Sequence, residues 1–428
     1  MVDRRPNTAA NGRAIANVRR HKPNYRIALY MCLLMMLGLI VMYAIGPQRA
    51  QVLNQAYGFD YDSTYFFVKQ AVSLALAVGV FFAVSRVPIW WWQANAKRLF
   101  VAGIIASAVL AIGGWLSLGF VQCTLGACRW FDLGPLGSLQ PAEFLKFGVL
   151  LFGAGFLAYR MKQGVVNDLY KTLIPLGAML LLVALFVIGI QQDMGTGLVI
   201  LAIVASMVLV SGVSARVGAL LAGSGLLLGI VMVLIAPHRL ARVATFLQGD
   251  NATTAGDAST YHITHALIAI GSGGPTGVGI GNSVQATGYL PEAINDSVFA
   301  IMGETFGFVG LVIVLILFGA LLLSLLKVAD QLPGSHEKLI VVGVFGWLAA
   351  HVVLNVAAMT GVFPLTGITL PLLSFGGTSM VFIAGALGLA FRLSSYTVHS
   401  TVNEGERYEN SRSGRGLGRP RYAGRGRL

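Results

Sequence analysis

Ten apolar runs organise this chain, at residues 26–46, 65–85, 99–119, 141–159, 172–190, 197–213, 217–236, 298–326, 339–359 and 377–393. Most are close to the roughly 20 residues a helix needs to cross a bilayer. The run 197–213 is short, and 298–326 is long enough to be tilted or extended. Hydrophobicity within the runs is continuous, with no period-two alternation. Lipid solvates no backbone amide, so a span must be a helix or part of a closed barrel, and the continuous pattern selects helices. The first run is too long for a cleavable leader and has no small-residue cleavage site before the next span. The pattern therefore predicts an all-α, polytopic membrane protein built as a ten-helix bundle.

Composition agrees. The 428 residues are 56% hydrophobic and 11% charged, less than half the roughly 25% charge of soluble domains. Ten spans put both ends of the chain on one side, and the bases show which. The segments 1–26, 86–98, 160–171, 214–216, 327–338 and 392–428 hold 24 of the 30 Lys and Arg residues. The opposite loops hold Arg49, Arg129, Arg239 and Arg242, while Lys69 and Lys146 lie inside runs. The positive-inside rule places both termini in the cytoplasm. The net charge of +13 is thus mostly topological, and no nucleic-acid partner is expected. Residues 1–25 and 394–428 are polar basic tails, the latter rich in Gly and Arg, a composition of disordered segments held near anionic lipid. Residues 26–393 form the membrane domain.

Ten of the 17 acidic residues fall at or near the outer face. Asp60 and Asp62 fit simple loop solvation. The others invite more attention, because between the seventh and eighth runs lies a segment of about sixty residues, 237–297, far longer than an ordinary connection. Tyr261 to Ile270 has helical spacing and fits a half-buried or re-entrant helix, which glycines 271, 273, 274, 277, 279 and 281 then break. Irregular backbone at membrane depth survives only where protein covers it or water reaches it, so this loop should line a cavity. GVGIGN is no dinucleotide fingerprint, since no strand precedes it. Its glycines either present amides to a phosphate or pack closely against neighbouring helices. His262 and His265, spaced i, i+3, fit hydrogen-bonding roles better than a metal site, as no third ligand is near.

Asp296 stands in PEAIND, where the loop re-enters the apolar run. It fits a helix N-cap and equally a general base whose proton affinity is raised by desolvation. Glu292 precedes it on the same loop. Glu304, two turns into the span, is costly there and marks either function or a packing partner. In SLQPAEFLKFG, Glu143 and Lys146 share a helix face and can pair; alternatively Lys146, with Arg129 of CRWFDLG, reaches an anionic head group. Asp193 of QQDMGTG is a candidate partner for one of these cations.

These motifs resemble those of the SEDS (shape, elongation, division and sporulation) family, the FtsW/RodA/SpoVE peptidoglycan glycosyltransferases. CRWFDLGPLGSLQPAEFLK is similar to the family's RRW…QPSE…K, QQDMGTG to its QPDLGT, and FPLTGITLPLLSFGGTSM, which contains Ser374, to its PxTGxxLPfxSxGGSS signature. The loop from Leu267 through PEAIND and into the next helix matches as well, and YLPEA is nearer to the division-type FtsW pattern than to the elongation-type one. The resemblance implies a ten-helix bundle in the bacterial cytoplasmic membrane that polymerises lipid II. It implies a catalytic role for Asp296 and substrate-binding roles for Arg129, Glu143, Lys146, Asp193, Arg239, Glu292, Glu304 and Ser374. It further implies undecaprenyl pyrophosphate as leaving group, membrane lipid around the site, and a class B penicillin-binding protein transpeptidase as partner. Arg239 or a divalent cation, Mg or Mn, are further candidates for stabilising the leaving pyrophosphate.

The sequence also departs from the pattern. Ile294 stands where the family often has histidine, His262 and His265 where glutamines are usual, Gln192 for a proline and Ala142 for a serine. Cys123 and Cys128 flank the arginine motif on the oxidising side and are expected to form a local disulfide. The alternative function is a transporter of lipid-linked cell-wall precursors, which ten helices with an intramembrane ion pair would also suit.

Overall fold

A computed structural model describes residues 22–124, 127–134, 137–220, 223 and 258–397. Among them, eight helices are long and apolar enough to cross a membrane, and a ninth, shorter apolar helix accompanies them. The seventh predicted run, 217–236, lies almost wholly outside the described residues, as do both tails and Arg239.

In chain order the helices are α1 Tyr25–Tyr57, α2 Tyr65–Arg86, α3 Ile89–Trp115, α4 Pro141–Gln163, α5 Leu169–Ile190 and α6 Met194–Val210. Then come α7 Ala258–Ser272, α8 Val298–Gln331, α9 Ser335–Met359 and α10 Gly377–Leu393. Local chemistry sets several ends. Asn24 caps α1 by accepting from the Arg26 amide, and α5 starts at Asp168, whose carboxylate accepts from the amides of Tyr170 and Lys171. Such caps satisfy donors that the first turn leaves over. Pro141 opens α4, where a missing N–H costs nothing, and Gly164 closes it in the left-handed conformation.

Two boundaries differ from expectation for physical reasons. Helix α1 continues eleven residues past the first apolar run, through Pro47, to Tyr57, because its C-terminal end packs on the 281–290 segment, where Gln48 donates to the Gly281 carbonyl. Helix α3 begins ten residues before its run, with Trp90, Trp91 and Trp92 in its first turn, aromatics suited to the membrane–water boundary.

Helices α4 and α9 are the interior of the bundle. Their apolar windows are 72% buried, against 17% for α2, whose Val68, Val72 and Leu76 remain exposed as a lipid-facing stripe. Trp347 of α9 and Leu145 and Leu150 of α4 are fully buried. The described chain is not purely helical. Between α3 and α4, strands β1 Val121–Thr124, β2 Ala127–Asp132 and β3 Ser138–Leu139 form an antiparallel sheet in the order β1-β2-β3. Cys123 faces Cys128 across the first pair, and the two are joined in a disulfide, as expected.

The long run 298–326 is broken. Gly307 of α8 has φ 67°, ψ −169°, and the glycine-rich segment after α7 fills the break. Amides of Val278 and Gly279 donate to Glu304 and Thr305 carbonyls, while amides of Phe308 and Val309 donate to Gly274 and Pro275 carbonyls. A Cβ at Gly277 would stand 2.2 Å from the Thr305 oxygen, and one at Gly307 would stand 2.3 Å from the Gly277 nitrogen. Between the two readings of the glycines, the geometry at these positions is close packing.

Candidate functional site

The chain from Tyr289 to Ser297 brings Asp296 to the N-terminal end of α8, where three neighbours and one internal hydrogen bond fix it. The Phe375 amide donates to the Ile294 carbonyl at 2.8 Å. The side-chain amide of Asn355, on α9, donates to the carbonyls of Asp296 and Ile368, both at 2.7 Å. The Ser297 hydroxyl donates to the Pro291 carbonyl at 2.8 Å, and His262 Nε2 of α7 lies 2.6 Å from the Ser297 hydroxyl oxygen. Since the hydroxyl's one proton is committed to Pro291, the imidazole Nε2 must be the donor. His262 therefore hydrogen-bonds, as its spacing suggested.

Asp296 itself is not a cap. The N-cap of α8 is Ser297, which makes no side-chain capping bond. The Asp296 side chain is only 9% exposed, and its Oδ1 is buried without a hydrogen-bond partner. Burial, and secondarily the neighbouring Glu292 carboxylate, raises its pKa from 3.8 to about 7, against a smaller opposing effect of Ser297 and the local backbone. Gly367 leaves room beside it, since even a Cβ there would stay 3.9 Å from Asp296 Oδ2. Glu292 is exposed, adopts φ 50°, and accepts from the Asn295 side chain.

A second polar cluster joins α4, α6 and α9. Lys146 is fully buried, with Nζ 2.7 Å from Glu143 Oε1 and 3.2 Å from His351 Nε2, and it lies over the Trp347 ring. His351 Nδ1 is 3.1 Å from the Thr369 carbonyl, which can only accept, so Nδ1 carries the proton and Nε2 accepts from lysine. The predicted Glu143–Lys146 pair is present. The Lys146 ammonium is enclosed by protein. Arg129 donates from Nε and one terminal nitrogen to the carbonyls of Gln191 and Gln192, holding a turn in which Gln192 has φ 54°. Asp193 pairs with neither cation. It caps α6 through the Thr196 amide and accepts from Gln140 Nε2 at 2.9 Å.

Two further candidates serve the scaffold around the site. Glu304 is buried, and its carboxylate accepts from the Ser283 hydroxyl and the amides of Val284 and Gln285, so it organises the 3₁₀ turn Gln285–Thr287. Ser374 accepts from the Leu370 amide and closes the turn before α10. Sequence reasoning missed Asn355 and His351. They stand at i, i+4 in HVVLN, two polar residues on one face of an apolar helix, which is the signal that could have found them. Through them the clusters become one system, since His351 holds Thr369 and Asn355 holds Ile368 together with Asp296.

Among the described residues, no group of three or more His, Cys, Asp or Glu is placed to hold a metal ion. Of the two carboxylates nearest this point of the loop, Glu292 already engages Asn295.

Comparison with known proteins gives a consistent result. The FtsW/RodA/SpoVE family model, described as cell cycle protein, matches residues 25–399. The chain is 32% identical over 380 residues to stage V sporulation protein E of Bacillus subtilis, covering 89% of this chain and 99% of the relative. It is 33% identical over 366 residues to a probable peptidoglycan glycosyltransferase FtsW of Nitrosomonas europaea, covering 84% and 90%. Among solved structures it resembles a chain of a peptidoglycan synthase complex that coordinates polymerization and crosslinking, with TM-score 0.68, 26% identity and coverage of 87% and 97%. Rod shape determining protein RodA of Thermus thermophilus shares the fold, at TM-score 0.62 and 24% identity over 88% of this chain and 98% of that one.

Proposed function

This chain belongs to the FtsW/RodA/SpoVE family, and on that premise we propose that Asp296 is the general base with which it, a peptidoglycan glycosyltransferase, polymerises lipid II. The observation that carries this is one carboxylate, buried in the loop before α8, with an unpartnered oxygen and a pKa about 7. A base so placed is ionised in a useful fraction of molecules at neutral pH and still holds a proton strongly once it accepts one.

The reaction is a displacement at an anomeric carbon. Asp296 takes the proton of the acceptor sugar hydroxyl, the hydroxyl oxygen forms a bond to the anomeric carbon, and the bond from that carbon to the phosphate oxygen breaks. Undecaprenyl pyrophosphate leaves with the electron pair. Arg129 and Lys146 act by holding the walls of the site, at Gln191–Gln192 and, through His351, at Thr369, and Asn355 holds the base's own carbonyl. We place the site outside the bacterial cytoplasmic membrane with both termini in the cytoplasm, supported by the distribution of Lys and Arg. A class B penicillin-binding transpeptidase is the partner we infer, supported by the likeness to a chain of a peptidoglycan synthase complex.

The test is polymerisation of purified lipid II by the purified chain, with and without the transpeptidase. Wild type should form glycan strands and Asp296→Asn should not. Translocation of lipid II across sealed vesicles, undiminished in Asp296→Asn and with no polymer formed by wild type, would instead support transport.

A further inference from the structure

Glycosyl transfer from a polyprenyl pyrophosphate demands cations at the outer head-group level, and an account of the described ones leaves few. Lys146 is enclosed and paired. Arg129 keeps its charge, but two of its five donors tie it to the carbonyls of the Gln191–Gln192 turn. Lys69 and Arg49 remain, and among the described residues neither has a carboxylate within ion-pair distance.

Lys69 is exposed in the second turn of α2. Its ammonium has the Tyr65 hydroxyl at 3.3 Å and lies 5.5 Å from the Tyr65 ring centroid and 5.9 Å from that of Phe375. Such rings fix the direction of a cation without neutralising it. Phe375 is the residue whose amide holds Ile294, two positions before Asp296. The next residue of α2, Gln70, donates to the Ser374 carbonyl. Lys69 is thereby tied to the segment that positions the base, while its own backbone borders the lipid-facing stripe of α2. Arg49 sits on the adjacent α1, with Nε buried and without a hydrogen-bond partner. Gly46 abuts Phe66, so Arg49 stands one turn outward of that contact and Lys69 one turn inward. At 1.5 Å per residue the two are about 9 Å apart along the helix axes, within the combined reach of two long side chains.

We propose that Lys69, with Arg49 on the neighbouring helix, binds the pyrophosphate of the polyprenyl-linked sugar substrate on the outer halves of α1 and α2. The site rests on the glycosyl-transfer reading for the identity of its ligand. The phosphate sits where lipid meets protein, and the sugars extend over Phe375 toward Asp296. Lys69 is a substrate-binding residue here and takes no part in proton transfer.

Two measurements on the full-length protein test this. The first is direct binding of undecaprenyl pyrophosphate in phospholipid-free detergent, by native mass spectrometry. Lys69→Gln should weaken binding about tenfold, the factor expected when one charge-assisted contact at a partly exposed site is removed, and Lys69→Arg should recover most of it. Arg49→Gln should weaken binding in the same sense. The second is polymerisation, where Lys69→Gln should raise KM about tenfold and change kcat less than threefold. Binding by Lys69→Gln within twofold of wild type overturns the proposal. So does a loss that appears only in phospholipid vesicles, because then the lysine serves bulk lipid head groups. Wild-type protein that binds undecaprenyl pyrophosphate through Lys69 but forms no polymer would sink the glycosyltransferase reading and leave this site standing.

Discussion

Replacing Asp296 by Asn separates two consequences of one buried carboxylate. Moving a carboxyl from 3.8 to about 7 corresponds to roughly 4 kcal/mol against its charged form, an upper bound once the surroundings relax. The sign follows from linkage. The folded-state pKa lies above the unfolded one, so below about pH 4 both states are protonated and no penalty exists. The penalty grows as pH rises from 4 toward 7 and is complete above it. Asn carries no charge at any pH. Asp296→Asn should therefore unfold a few degrees higher than wild type at pH 8, with only about a quarter of that difference left at pH 4.5. Polymerisation of lipid II should fall by about 10²–10⁴, the usual contribution of a general base, while wild-type rates climb with pH through about 7 as the carboxylate ionises. The assays are thermal unfolding of both proteins in detergent at the two pH values and initial polymerisation rates from pH 5 to 8.5. A melting difference independent of pH would refute desolvation as the cause of the raised pKa. A variant retaining more than a tenth of wild-type rate would refute the general base.

Substitutions at four other positions probe the scaffold. Asn355→Ala strands the carbonyls of Asp296 and Ile368 and should lower kcat about 10- to 100-fold through misplacement of the base; Asn355→Asp, equal in shape but without the amide donors, should fail equally, and wild-type turnover in either would dismiss the clamp. Gly277→Ala drives a methyl to 2.2 Å from the Thr305 oxygen and should cost several kcal/mol, seen as a large drop in melting temperature, whereas Gly271→Ala meets nothing within 4 Å and should change it little. Cys128→Ser opens the Cys123–Cys128 bridge and should cost about 2 kcal/mol for so short a loop. Non-reducing thiol labelling should find no reactive pair in wild type, and full labelling there would contradict the bridge.

What the sequence made legible, and what it did not, divides by the range of the interaction. Apolar runs and charge placement are read over one or a few turns, and they located every span that is described. The Glu143–Lys146 pair is a contact of the same range, and it forms. Which of the two roles open to Lys146 its surroundings favour was not legible, because its burial depends on Trp347 and His351, some two hundred residues further on. Asp296 shows the same limit from the other side. Spacing left cap and base equally open, and only the placement of the cap at Ser297, with Asn355 arriving from α9, separates them. The small sheet escaped because strands of four, six and two residues are too short for alternation to register, so its order comes from pairing and the disulfide.

The break in α8 follows from the same reasoning and explains why the site is built where it is. An uninterrupted apolar run says nothing of a kink at Gly307, yet the unpaired backbone there must find partners, since lipid offers none. The Gly273–Gly279 segment provides them, and the contact admits no side chain at Gly277. Holding the loop at both ends, by this backbone seam and by Glu304 on the Gln285 turn, leaves the stretch up to Asp296 little freedom. A carboxylate costing several kcal/mol to ionise would otherwise swing toward water and lose its raised pKa. The glycines and Glu304 thus act on the chemistry indirectly, by keeping the base in the environment that makes it one.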